Sequence, residues 1–209
     1  MLYNTMAIFQ SCIHLSGRSS DEVEIKSLDE IIGIGEETNG TFLVWHAFMH
    51  KMSNLFWSRD FLAVAELSEK YSENHHSHLQ QKRSLHVIRV FYEGIVYLNL
   101  ARRPGETKKE WREMGEKAVA AMTGYATSMS KWNFENKSLL LKAELHYLNG
   151  YLALADTVYE ASIKSASEHT FINEEALAYE LHGRFCVENN RAEKGSNQLR
   201  VAVGKYNEW

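Results

Sequence analysis

Histidine offers the first chemistry to weigh in this chain. His46 and His50 stand four apart in "WHAFMH". On a helix both imidazoles would share a face and could hold one metal ion. A zinc-protease helix also needs a glutamate directly after the first histidine, and Ala47 stands there instead. No third ligand is spaced to join the pair. His75, His76 and His78 in "NHHSH" fall among polar residues at the end of a predicted helix, where solvated imidazoles need no ion. The triplet Glu-Leu-His occurs twice, at 144–146 and 180–182, within runs that read as helix. His146 and His182 are expected to serve helix packing. No metal site is expected.

The other chemistries fare no better. "GIGEETNG" at 33–40 has the wrong glycine spacing for a dinucleotide fingerprint, and no strand precedes it. Neither a phosphate-loop Gly-Lys-Ser/Thr nor a Gly-x-Ser-x-Gly elbow occurs in the sequence. Cys12 and Cys186 are the only cysteines, too few for a disulfide framework, and read as reduced thiols in a cytoplasmic protein. Cys186 is expected to be a buried, inert thiol. Glu174 and Glu175 open a predicted helix, where the positive end of its dipole favours them. Trp111, Tyr125, Trp132 and Phe134 read as inter-helix packing. The expectation is a non-enzyme with no catalytic residue and no cofactor.

The elements that carry these residues are helical. Pro104 is the single proline in 209 residues, and Ala, Leu, Glu and Lys are abundant. Net charge is -4, so no basic excess draws nucleic acid. No apolar run reaches the roughly 18 residues a membrane helix needs. The apolar N-terminus lacks a basic leading segment and reads as an amphipathic helix over about 2–15. Ser19 and Glu22 form a capping-box pattern, and "GIGEETNG" reads as a break. Periodicity then predicts helices at about 41–57, 61–74, 82–101, 108–129, 134–149, 151–169, 173–188 and 191–208. Asp60, Thr107, Asn133 and Asn173 are candidate caps. Such tight turns imply antiparallel hairpins.

A repeat runs through the second half. With a period of 40, Ala155 aligns with Gly195, Ala143 with Gly183, and Asn149-Gly150 with Asn189-Asn190. Small residues twelve apart, at 143/155 and 183/195, are the pattern of a tetratricopeptide-like hairpin, whose helices touch at small side chains. Gly115 lies 40 residues before Ala155. The fold expected is therefore all-α: a TPR-like α-solenoid of about four helical hairpins over 41–209, after an irregular part with one or two helices over 1–40.

Residues 60–209 also resemble a known family. Asn133, Phe134, Lys137, Leu140, Leu141, Ala143, Glu144, Gly150, Ala155, Tyr159 and Ala166 match its pattern. So do Glu174, Glu175, Ala176, Leu177, Ala178, Glu180, Tyr206 and Trp209. The family is the helical-repeat segment of large multidomain signalling proteins. There a protein-kinase-like region and an AAA-type ATPase of the STAND kind precede the repeats, and a GAF domain and sensor histidine kinase often follow. The resemblance implies a non-catalytic interaction and regulatory module, truncated at its C-terminus, whose partners are proteins or adjacent domains. In the terminal helix, Leu199, Ala202, Val203 and Tyr206 are expected to pack inward. Val201 and Trp209 are expected to face outward and to favour self-association. The alternative reading is a small-molecule sensor, with its ligand near Trp45, His46, Trp57 and Tyr92.

Overall fold

The computed structural model describes residues 27–71, 83–104 and 108–209, and every regular element among them is a helix. These helices are α1 (Leu28–Glu37), α2 (Thr41–Trp57), α3 (Phe61–Lys70), α4 (Arg83–Arg102) and α5 (Lys108–Ser128). Then come α6 (Lys131–Leu148), α7 (Leu152–Glu168), α8 (Ile172–Glu188) and α9 (Ala192–Glu208). The chain forms two compact units, 1–96 and 97–209, with α4 running across the division. No helix among the described residues is long and apolar enough to cross a membrane. The helix expected over 2–15, the Ser19 capping box, Thr107, Cys12 and the His75–His78 cluster lie outside the described residues.

In the first unit, α1 starts on a capping box that the sequence reading passed over. The Ser27 side chain accepts from the Glu30 amide at 3.2 Å, and Glu30 accepts from the Ser27 amide at 2.6 Å. The expected break at "GIGEETNG" is corrected: α1 continues through Gly33 and Gly35 to Glu37. Gly35 serves contact rather than interruption. A Cβ there would stand 2.7 Å from Val44 Cγ2, so its absence lets α1 and α2 approach closely. Phe48, Met52, Phe56 and Val64 are fully buried in this unit. Asp60 caps α3 as expected, accepting from the Ala63 amide at 3.2 Å.

One turn recurs. Asn39, Arg59, Gly150, Thr170 and Asn190 each have positive φ just past a helix end. After each, the next amide bonds the carbonyl five residues back. The pairs are Gly40 to Gly35, Asp60 to Leu55, Tyr151 to His146, Phe171 to Ala166 and Arg191 to Cys186, at 2.7–3.0 Å. This is the Schellman closure, which satisfies end carbonyls and reverses the chain. Its left-handed residues are twenty apart within each group, at 39 and 59 and at 150, 170 and 190. The same closure moves one expected cap. Thr170 ends α7 so tightly that α8 begins at Ile172 with Phe171 at the cap, placing Asn173 inside the helix. Asn133 is also inside its helix, because Ser130 caps α6 by accepting from the Asn133 amide at 3.2 Å.

In the second unit each helix from α5 onward packs on its successor. Ala143 and Ala155 are fully buried. At Gly183 and Gly195 the backbones of α8 and α9 meet: a Cβ on Gly195 would lie 2.8 Å from the Gly183 carbonyl oxygen. Gly115 likewise admits Leu98 of α4. On α9, Ala202 is buried and Leu199 lies over Gly183. Val203 was expected to pack inward, but it is 59% exposed, one step round the helix from the buried stripe.

Candidate functional site

The densest chemistry lies where α7, α8 and α9 meet. Asp156 of α7 and His182 and Cys186 of α8 bring a carboxylate oxygen, a ring nitrogen and a thiol within 4.8 Å of one another. The helical spacing of four puts His182 and Cys186 on one face of α8, and α7 lays Asp156 against it. His182 has no exposed surface. Its Nε2 lies 2.6 Å from Asp156 Oδ1, and the Gln198 amide of α9 donates to its Nδ1 at 3.3 Å. That pattern matches a neutral imidazole with its proton on Nε2. The Tyr159 ring stacks on it at 5.3 Å. Burial holds the His182 pKa below its ordinary 6.5, against the opposing bond to Asp156.

Asp156 is the hub. It also accepts from Arg191 at 2.8 Å and from Lys194 at 3.0 and 3.1 Å. Lys194 reaches Glu160 as well, at 2.8 Å. Burial works to raise the Asp156 pKa. The hydrogen bonds from Arg191, His182 and Lys194 outweigh it and hold the carboxyl well below the usual carboxylate range. Burial also pushes the Cys186 thiol up, despite Arg191 and Lys194 nearby.

This geometry does not make a nucleophile and base. A general base must turn a free nitrogen toward the thiol, and both His182 nitrogens are already bonded elsewhere. A thiolate is the reactive form of cysteine, and burial opposes it here. A metal ion would have to replace the Nε2 proton, ionise Cys186 and share Asp156 with two cations. The Lys194 ammonium already sits between Asp156 and Glu160 and takes both Asp156 oxygens. The arrangement instead ties three helices together through satisfied hydrogen bonds, as buried polar groups require.

The network extends through Tyr159. Its hydroxyl donates to Glu144, which is 1% exposed and also accepts from Arg102 of α4 at 2.6 Å. The Arg102 guanidinium lies over the Tyr147 ring at 4.5 Å. Burial, then the bond to Glu188 and its charge, pushes the Tyr147 pKa up to about 12. A line of polar groups thus crosses from α4 through α6, α7 and α8 to α9.

The two Glu-Leu-His triplets contribute to this line unequally. Glu144 comes from the first and His182 from the second. Glu180 bonds Tyr206 at 2.8 Å and Arg184 at 3.0 Å, and the His146 ring lies 6.3 Å from that of Tyr151. Glu174 and Glu175 do more than meet a helix dipole: they pair with Lys137 at 2.8 Å and Lys205 at 3.3 Å. Asp156, Gln198, Arg191, Lys194 and Arg102 had no part in the sequence reading. The one local signal was Asp156 itself, an acid directly after the apolar run "YLALA".

The residues expected around a ligand divide between two aromatic groups of the first unit. Trp57 and Tyr92 meet around Phe56, with Tyr92 stacked on it at 4.2 Å and Trp57 edge-on at 5.3 Å. Trp45 is buried against Phe48 at 5.1 Å, under the Arg89 guanidinium at 5.7 Å. His46 lies against Phe42 at 4.2 Å. Twelve residues of helix, about 18 Å, separate Trp45 from Trp57 along α2. On the aromatic stripe of the second unit, Tyr125 and Phe134 meet edge-on at 6.3 Å, while Trp132 is exposed beside His169. No protein-family model, curated protein or solved structure matches the chain.

Proposed function

We propose that this chain is a non-catalytic protein-interaction and regulatory module, stacked as a TPR-like α-solenoid in a cytoplasmic signalling assembly. Its place there is the one its resemblance implies, between an AAA-type ATPase and a sensor kinase. The observation that carries the reading is the recurring helix and Schellman turn at twenty-residue spacing, with glycine at the α8–α9 contact. Repeated helical pairs of this kind offer long surfaces to partners, because each pair contacts mainly its neighbours. The one described cluster of thiol, imidazole and carboxylate supports a structural role, since its bonding capacity is spent between helices. Val201 on α9 and Trp209 at its C-cap are 39% and 60% exposed and form the proposed contact surface for a partner or a second copy.

Crosslinking the tagged chain inside its own cells tests the reading. It should attach to an ATPase or sensor-kinase polypeptide that rebinds the purified chain in calorimetry. Val201→Lys with Trp209→Lys should weaken that binding. If no crosslinked polypeptide rebinds when purified, the interaction reading fails.

A further inference from the structure

A cleft of about 320 Å³ runs along the α5–α6 hairpin, lined by Thr123, Ala126, Lys131, Ser138, Leu139 and Lys142 among others. This lies at the small end of ligand pockets and corresponds to roughly ten waters at about 30 Å³ each. Its walls are chemically uneven. Lys131 is paired with Glu135 at 3.3 Å. Lys142 is half-buried and makes no hydrogen bond or ion pair with the described residues.

The hydroxyls have the opposite character. Thr123 Oγ1 donates to the Val119 carbonyl at 2.8 Å, and Thr127 Oγ1 donates to the Thr123 carbonyl at 3.0 Å. Ser138 Oγ lies 3.2 Å from Thr123 Oγ1 and must be the donor there, since the Thr123 proton is committed. The hydroxyls therefore show the cleft lone pairs, not protons. Leu139 and Ala126 add an apolar wall.

We propose that this cleft binds a small carboxylate with a short apolar body and a second hydrogen-bond donor, the hydroxy-acid or amino-acid class. The carboxylate meets Lys142, the body lies on Leu139 and Ala126, and the donor meets the Thr and Ser oxygens or Glu135. The inference is independent of the interaction role proposed above, and either can fail alone.

Amide chemical shifts of the ¹⁵N-labelled full chain test it, with 4-hydroxybenzoate, benzoate and inorganic phosphate as probes. Saturable shifts at Thr123, Ala126, Leu139 and Lys142 are expected with 4-hydroxybenzoate at millimolar concentration, and weaker binding with benzoate. Lys142→Met keeps the stem and removes the charge, so it should weaken binding roughly tenfold. Lys142→Arg should retain it. The proposal is overturned if no localised shifts appear, if phosphate gives the same shifts with the same affinity, or if Lys142→Met binds as the wild type does.

Discussion

Gly195→Ala places one methyl group where α8 and α9 touch. Its Cβ would stand 2.6 Å from Val187 Cγ2, 2.8 Å from the Gly183 carbonyl oxygen and 3.0 Å from the Val187 nitrogen. The last two are backbone atoms, which cannot rotate aside, so the helices must part. Overpacking of this kind costs about 1–3 kcal/mol. Alanine recovers up to about 1 kcal/mol of helix propensity over glycine. The net expectation is a loss of up to about 2 kcal/mol. At Gly183 the nearest atoms are Leu199 Cγ and Cδ2, at 2.8 and 3.0 Å, with the Gly195 carbonyl oxygen at 3.1 Å. Leu199 can yield in part, but its Cγ is the branch point of the side chain and the Gly195 oxygen is backbone, so Gly183→Ala should cost less than Gly195→Ala, and Gly183→Leu about 1–3 kcal/mol. Gly204 on α9 has nothing within 4 Å, and Gly204→Ala should stabilise by up to about 1 kcal/mol. Urea unfolding followed by far-ultraviolet circular dichroism ranks the variants. If Gly195→Ala raises the midpoint as Gly204→Ala does, the close approach of α8 and α9 is refuted.

Three further outcomes follow from the turns and the buried network. Thr170 holds a β-branched side chain at φ 60; Thr170→Gly should stabilise by about 0.5–1 kcal/mol, while Gly150→Ala, at φ 78, should lose about 1 kcal/mol, both read as urea midpoints. Glu144→Gln removes the ion-pair partner that Arg102 has among the described residues and should cost about 3 kcal/mol; adding Arg102→Leu should cost less than the two single losses combined, which a double-mutant cycle measures. The folded-state pKa of His182 lies below its ordinary 6.5, so below that pH the unfolded chain binds more protons and stability falls. The effect is complete above pH 6.5 and is lost as pH drops toward the folded value; His182→Gln should flatten the midpoint-against-pH curve relative to wild type there, although His50 and His146 also titrate low. Asp156 works in a separate, more acid window, losing its stabilisation only as pH falls below the ordinary 3.8.

Helices were legible in this sequence because they depend on neighbours along the chain. The apolar period, the Asp60 cap and the "NG" and "NN" turns are all local, and each falls where the structure has it. The errors were local rules applied without their tertiary reason. Gly33 and Gly35 read as a break, yet α1 continues because Gly35 makes room for Val44. Val203 fits an apolar spacing, yet it lies off the face of α9 that meets α8 through Gly195, Leu199 and Tyr206, and it is 59% exposed. The polar network left almost no trace in the sequence. Asp156 and His182 are 26 residues apart, and Arg102 and Glu144 are 42 apart. Such distances carry no periodic signal, so the Glu-Leu-His triplets stood out while their partners did not.

Alkylation of Cys186 by iodoacetamide, in a Cys12→Ser background, tests most directly whether the thiol–imidazole–carboxylate cluster is packing rather than catalysis. Cys186 is fully buried, with its pKa raised by burial. The rate should therefore track global unfolding, rising with urea in step with loss of helix and slowing in variants that stabilise the fold. Alkylation of the folded chain faster than a free cysteine at neutral pH, unaffected by stability and abolished by His182→Gln, would mean that His182 activates the thiol, and the non-catalytic account would be wrong.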